Sequence, residues 1–438
     1  MQRHRAFSSS KALRVVVQRH RTFSSSRAPA CDLPIINVAP LVNGDDDEAK
    51  LACARAIDAA CRHHGFFYVQ GHGVPCDLLS AVVKHGRDFF ALPQEMKDKI
   101  AMPAPDAGRG TSCAAAHQCQ FRGYQRLREN VTNEAADLHE AIDFFRELGT
   151  EARDSLRHEA AWFLPLGEGR NQWPDEGRHG SLAGFRATYD AYVLAMSRLG
   201  GALMRGAALG LGLHEKFFES SYDESFWVMR LIGYPVQVQA PARDPVRAGG
   251  AEEHDIEASQ QEQEHGLGCG AHTDYGCLTL LHADKTVGCL QVRSRVGVNG
   301  TGGVHGDGNG DDCRADDDGG GEDSSWIAAD PVEDALLVNI GDMLELWSGG
   351  RWTATEHRVL PPTAQGVACA AATGAAKPET GTASHYRISV PFFFEPNFDA
   401  RIEPIIPTVG SEHVASVTYG RHLLSKVQSN FAHDDMAS

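Results

Sequence analysis

Apolar residues recur along this chain with two different periods, and the change of period divides it. Over residues 48–64 and again over 76–100 they return every three or four positions, which is the spacing of one helix face. Between these helices Phe66-Phe-Tyr-Val-Gln70 reads as a strand. The longest helical pattern covers 181–219, with Ser181 as its N-cap and a stripe of Phe185, Tyr189, Tyr192, Met196 and Leu199. That stripe is expected to be a spine packed on a sheet rather than a ligand surface. From residue 225 onward, short apolar runs separated by turn residues take over. Leu278, Leu280 and Leu281 form one run, and Ala335-Leu-Leu-Val-Asn-Ile340 another. A turn at Gly341-Asp342, the run Met343-Leu-Glu-Leu-Trp347, a turn at Ser348-Gly-Gly350 and the segment Arg351–Leu360 follow. Tyr386-Arg-Ile-Ser-Val-Pro-Phe-Phe-Phe394 closes the series. Short strands punctuated by turns predict an antiparallel sandwich or barrel.

Three stretches interrupt the strand-rich half: 236–268, 297–325 and 364–383. Each falls between predicted strands, where added loop length costs little. Residues 297–325 hold ten Gly with Asp runs, too polar to fold alone. None is a phosphate loop, because no strand–Gly–helix context or Gly-Lys-Ser/Thr is present.

The candidate chemistry sits inside these strands. Among 21 histidines the triplet His-x-Asp occurs four times, beginning at His272, His282, His305 and His433. His305 lies in the Gly/Asp-rich stretch, and His433 has no later histidine to complete a set. In a strand, residues two apart share a face, so His272 and Asp274 can converge on one ion. His282 and Asp284 fall where that strand is expected to end, and a solvated strand end is the expectation for His282. The third candidate ligand is His357, in Thr-Glu-His357-Arg-Val-Leu, 85 residues after His272. Two imidazoles and a carboxylate on one side of a metal leave other positions open, which suits a non-haem Fe(II) oxygenase. Cys269-x-x-His272 raises a zinc alternative, but no Cys-x-x-Cys pair exists to close a structural site. Arg387 and Ser389 also share a strand face, within a wall of Val and Phe; a guanidinium fork beside a hydroxyl is a carboxylate receptor.

In these motifs and their order the chain resembles the isopenicillin N synthase-like branch of the 2-oxoglutarate/Fe(II)-dependent dioxygenases. Asp32-Leu-Pro-Ile-Ile-Asn37, His64-Gly-Phe-Phe-Tyr-Val-Gln-Gly-His72-Gly-Val-Pro75, Asn171-Gln-Trp-Pro174 and Met229-Arg-Leu-Ile-Gly-Tyr234-Pro235 carry the first part. Gly270-Ala-His-Thr-Asp-Tyr-Gly276, Gly341-Asp-Met-Leu-Glu-Leu-Trp-Ser348, Glu-His357-Arg-Val and Arg387-Ile-Ser389 carry the rest, and coverage runs from about residue 32 to about 405. Asn37 stands where the family often has Asp. The resemblance implies a mainly β protein with flanking helices: a double-stranded β-helix (jelly roll) core plus a helical N-terminal region. The chain is expected to divide into 1–31 (transit peptide or disordered), 32–165 (N-terminal dioxygenase region), 166–224 (spine helix), 225–405 (jelly roll with insertions near 236–268, 297–325 and 364–383) and 406–438 (C-terminal segment). His272, Asp274 and His357 would be the iron ligands. Arg387 and Ser389 would hold the far carboxylate of 2-oxoglutarate and Tyr234 would add a hydrogen bond there, a core tyrosine with a satisfied hydroxyl being the alternative for Tyr234.

The implied reaction consumes O2 and 2-oxoglutarate, releases succinate and CO2, and hydroxylates a small organic substrate. Some members keep Arg-x-Ser without using 2-oxoglutarate, so an Fe(II) oxidase independent of it stays open, as does a catalytically silent ligand-binding module. Side chains that choose the substrate would come from variable loops and the N-terminal helices, and its identity is not legible here.

Charge and leader add less. Net charge is −17, of which residues 250–265 and 297–325 carry −13, so acidity belongs to the insertions. It argues against nucleic-acid binding. No apolar run approaches the roughly 18 residues of a membrane span, so a soluble chain without a membrane partner is expected; oligomeric state is not legible. Eleven scattered cysteines fit reduced thiols in an intracellular setting. The first 31 residues hold six Arg, one Lys, six Ser and no acid, the composition of an organellar transit peptide. Mitochondrion or plastid is expected, with a basic tail on a cytoplasmic enzyme as the alternative.

Overall fold

The computed structural model describes residues 33–102, 121–133, 135–149, 169–178, 180–236, 266–294, 326–372, 386–405 and 416–431. The leader, His305, His433 and most of the three interruptions lie outside the described residues. The strands are β1 (Ile35–Asn37), β2 (Phe66–Gln70), β3 (Gly123–Gln125), β4 (Val131–Thr132), β5 (Ala135–Ala136), β6 (Glu140–Phe145) and β7 (Val228–Pro235). The second half adds β8 (Cys269–His272), β9 (Leu278–Ala283), β10 (Leu290–Arg293), β11 (Trp326–Ala328), β12 (Leu336–Ile340), β13 (His357–Val359) and β14 (Tyr386–Phe394). An eight-stranded sheet runs β1-β2-β12-β9-β14-β7-β6-β3, and a four-stranded sheet runs β11-β10-β13-β8. Apart from β1 with β2, the ladders of both sheets are antiparallel.

Strand β14 shows how alternation divides the interior. Ile388, Val390, Phe392 and Phe394 belong to the larger apolar cluster, together with the stripe Phe185, Tyr189, Tyr192, Met196 and Leu199. The expected spine is therefore core: all five residues are buried, and the Tyr192 hydroxyl donates to the Val390 carbonyl at 2.9 Å. Side chains on the other face of β14, Arg387 and Ser389, pair in register with Tyr234 and Ile232 of β7. Tyr234 and Ile232 belong to a second cluster with Phe66, Tyr68 and Leu337 of the large sheet and Leu290, Val292 and Val359 of the small one. This second cluster fills the space between the sheets, and Arg387 and Ser389 project into it. Two facing sheets with flanking helices constitute the expected jelly roll with its helical N-terminal region.

Several local expectations need correction. The spine helix spans Phe185–Gly210, not 181–219. Ser181 lies in a 3-10 turn, Gly180–Leu182. The helix is capped from a distance, the Glu176 carboxylate accepting from the amides of Gly184 and Arg186 at 2.8 and 2.9 Å. At the far end Gly212 takes φ +77°, which a helix cannot continue through. Residues Asp342–Trp347 form a helix rather than a strand, because the amides of Asp342 and Met343 donate to the carbonyls of Asp274 and Gly276. The strand expected over 351–360 shrinks to His357–Val359, and residues Ala364–Ala372 of the third interruption are helical. His282 is not a solvated strand end. It lies within β9, its Nε2 is 3.1 Å from the Leu79 carbonyl, and burial lowers its pKa to about 4. Among the described residues no helix is long and apolar enough to cross a membrane.

Glycine lets the spine approach the sheet. A Cβ on Gly200 would stand 2.5 Å from ring carbons of Phe394. Gly200→Ala is expected to destabilise the fold by about 1–3 kcal/mol through overpacking, read as a lower urea midpoint with an unchanged slope. Stability equal to the parent would show that the two layers are not held this close.

Candidate active site

β8 and β13 are adjacent, and His272 and His357 stand directly opposite each other. Their ring centroids are 4.3 Å apart. Asp274 follows two residues after His272, in the loop that leads to β9. Each histidine Nε2 lies 3.8 Å from Asp274 Oδ1. Among the described residues this is the group of His, Cys, Asp or Glu side chains close enough to share a metal ion. The three expected ligands, separated by as many as 85 residues, are thus brought together.

Each ligand is oriented by a neighbour. His272 Nδ1 is 2.8 Å from the Gly270 carbonyl and His357 Nδ1 is 3.2 Å from that of Thr355. A carbonyl can only accept, so each Nδ1 carries a proton and Nε2 is the nitrogen that faces a metal. Burial lowers His272, but Cys269, Asp274 and the Gly270 carbonyl outweigh it and raise it to about 10, so a metal there would displace its Nε2 proton. Asp274 Oδ2 accepts from Asn339 Nδ2 at 2.6 Å and from Thr279 Oγ1. Asn339 and Thr279 are a cross-strand pair of β12 and β9, so one ladder position supplies both donors. Oδ1 remains directed at the histidines. Burial raises the Asp274 carboxyl, but His357, His272 and the two hydrogen bonds outweigh it and hold it below its ordinary value. Burial, followed by the neighbouring His272, lowers His357 to about 4, so it is neutral and able to ligate at physiological pH. Cys269 Sγ is 3.7 Å from His272 Nδ1, on the side away from the metal-facing nitrogen.

Arg387 is 3% exposed. Its Nε and Nη1 are buried with no hydrogen-bond partner among the described residues. Leaving such donors unpaired costs about 1–3 kcal/mol each, so the site is built for an acceptor. The Tyr234 ring lies beneath the guanidinium, 5.1 Å from its carbon. His357 faces the same inter-sheet space, its ring edge against Phe66 at 5.2 Å between centroids. Arg387 itself lines a second cavity, with Tyr68, His72, His282 and Leu290.

Beside the triad lies a cavity of about 470 Å³, of a size for a small molecule. His272 and Asp274 form part of its wall, with Asp137, Arg230, Glu395 and Tyr419. The C-terminal helix Tyr419–Phe431 contributes Tyr419, Leu423 and Lys426. Sequence reasoning missed these residues, and also Thr279 and Asn339. For the last two, a polar residue inside an apolar strand run was the available signal; for the C-terminal helix there was none.

The family model of the 2OG-Fe(II) oxygenase superfamily matches residues 254–396, and that of the non-haem dioxygenase in morphine synthesis N-terminal region matches 33–176. Homoarginine-6-hydroxylase 2-ODD-C23 of Glycine max is 35% identical over 91% of this chain and 97% of its own length. Homoarginine-6-hydroxylase 2-ODD-233 of Oryza sativa subsp. japonica is 33% identical, with the same coverage. In fold, the chain is similar to a full-length Neurospora crassa protein solved in complex with alpha-KG and thymine, with TM-score 0.62 and 23% identity, covering 91% of this chain and 96% of that one. The chain belongs to the 2OG-Fe(II) oxygenase superfamily. It is a dioxygenase dependent on Fe(II) and 2-oxoglutarate, acting on a small-molecule substrate.

The Asp274 support is testable. Asn339→Ala is expected to weaken Fe(II) or Mn(II) binding by about 10- to 100-fold, measured by metal titration of the purified protein. Affinity within twofold of the parent would show that this hydrogen bond does not orient the carboxylate.

Proposed function

We propose that His272, Asp274 and His357 hold the catalytic Fe(II), and that Arg387, Ser389 and Tyr234 receive the far carboxylate of 2-oxoglutarate. The donor set fits the metal: two imidazole Nε2 atoms and the Asp274 Oδ1 converge from one side, the arrangement of non-haem Fe(II) oxygenases. Arg387 fits a dicarboxylate, since a buried guanidinium with two unpaired donors needs an anion. Ser389 shares its strand face. Tyr234, stacked under the guanidinium, fixes its plane.

Fe(II) bound with 2-oxoglutarate and O2 supplies the oxidising power that turns a C–H bond into C–OH, releasing succinate and CO2. The protein's own part is geometry. Gly270 and Thr355 hold the imidazole protons on Nδ1, Thr279 and Asn339 hold the carboxylate, and the apolar inter-sheet cluster excludes water.

For the substrate we propose a small cationic amino acid of the homoarginine type. The observation that carries this reading is the likeness to two homoarginine-6-hydroxylases over nine-tenths of the chain. The buried carboxylate of Asp137 in the cavity wall supports it. Incubation of the Fe(II)-loaded protein with homoarginine and 2-oxoglutarate should yield succinate and a product heavier by one oxygen. Absence of both would refute the substrate class. Arg387→Lys should raise the 2-oxoglutarate KM by about 10-fold or more, because an ammonium cannot reproduce the bidentate fork. An unchanged KM would remove Arg387 from the receptor.

A further inference from the structure

The cavity beside the triad carries several charged side chains, and almost all of them are neutralised. Arg230 Nε donates to Asp143 at 2.7 Å and its Nη2 to Gln125 at 2.9 Å. Glu356 is paired with Arg293 at 2.6 Å, and Lys426 with Asp342 at 3.2 Å. Glu395 accepts from the Cys277 amide at 3.1 Å, and burial, reinforced by the charge of Asp274, raises its carboxyl. Asp274 faces the metal position.

Asp137 is different. It is 3% exposed and lines the cavity. Its oxygens accept from neutral donors, the Gly270 amide at 3.0 Å and the Thr132 hydroxyl at 2.8 Å. It forms no ion pair among the described residues. Burial raises its carboxyl above the ordinary value, opposed by these two hydrogen bonds and by the charges of Arg230 and His272, neither of which pairs with it. A buried carboxylate in this condition lacks a counter-charge in contact with it. The chain that carries it leads into a wall held rigidly: His139 lies 2.7 Å from the Gly268 carbonyl and 2.7 Å from Asn130, which donates in turn to Gln125.

We infer that Asp137 is the specificity-determining receptor for the cationic group of the substrate, a guanidinium or ammonium, held directly beside the metal position. The inference rests on the substrate class proposed above and adds where the cation sits. Gly270 links the two sites: its amide donates to Asp137 and its carbonyl accepts from His272 Nδ1. A cation on Asp137 therefore brings the carbon that bears it next to the triad, and oxidation is directed to that end of the molecule.

Asp137→Asn is nearly isosteric and keeps an acceptor for the Gly270 amide. In the Fe(II)- and 2-oxoglutarate-loaded enzyme it should raise the homoarginine KM by about 10- to 100-fold, the weight of one charge-assisted contact, with a smaller effect on kcat. The neutral ureido isostere, homocitrulline, is the second probe. The parent should prefer homoarginine over it by at least about 10-fold in kcat/KM, and Asp137→Asn should collapse that preference to within about threefold. Calorimetric binding of both probes to the Mn(II)-loaded protein should follow the same pattern. Asp137→Glu, which keeps the charge, should retain the preference for the cation, and thermal melts establish that each variant is folded. If the parent oxidises homoarginine and Asp137→Asn leaves both KM and preference unchanged, Asp137 is not the receptor and the substrate class stands. If the parent neither binds nor oxidises cationic amino acids, the substrate class fails and the receptor assignment with it.

Discussion

The catalytic geometry depends on one cross-strand pair. Asn339 of β12 and Thr279 of β9 sit opposite each other and both donate to the same oxygen of Asp274. A carboxylate with two free oxygens could turn either one, or both, toward a metal. With Oδ2 engaged, only Oδ1 faces the two imidazoles, and a facial set of three single donors follows. The same pair shows why this site needs a sheet. Two donors held side by side at ladder spacing cannot drift apart, whereas the loop carrying Asp274 could. That loop is itself pinned, by the helix Asp342–Trp347, whose first amides bond to the carbonyls of Asp274 and Gly276.

Charge in the interior is distributed by a similar constraint. Arg387 lies among apolar side chains with two donors unpaired, which is tolerable only if an anion completes them. Asp137 has the opposite need, and in the proposed reading the two are served by different small molecules. A site that binds a dicarboxylate and a cation must keep the two receptors from pairing with each other. Here Arg387 lies over the Tyr234 ring, while Asp137 is tied to Gly270 and Thr132 at the cavity wall. Elsewhere in the wall opposite charges do meet, as in Arg230 with Asp143, and there the pair is structural. Glu395 is tied to the Cys277 amide.

Much of this was legible from residue order. Strand alternation placed His272 with Asp274 and Arg387 with Ser389, because period-two geometry is local and needs no knowledge of the partner strand. The spine stripe at helical spacing announced its own burial for the same reason. Resemblance to a family supplied the role of His357, since a histidine in so short a strand carries no local mark of being a ligand. Where local reasoning failed, a distant contact had overridden it. Glu176 caps the spine helix from eight residues before Gly184, and the run Met343–Trp347 became a helix because its start docks on the metal loop.

By itself, the order of residues determined the periodic elements, the pairs of side chains that share a strand face, and the chemical type of each candidate ligand. These properties are set within a few residues of chain. Only the tertiary structure decided that His357 stands opposite His272, that Asn339 and Thr279 choose the oxygen of Asp274, and that Asp137 and the C-terminal helix close around the cavity. Each of these joins positions far apart in the chain, and hydrogen-bond direction and burial exist there only once the sheets have paired.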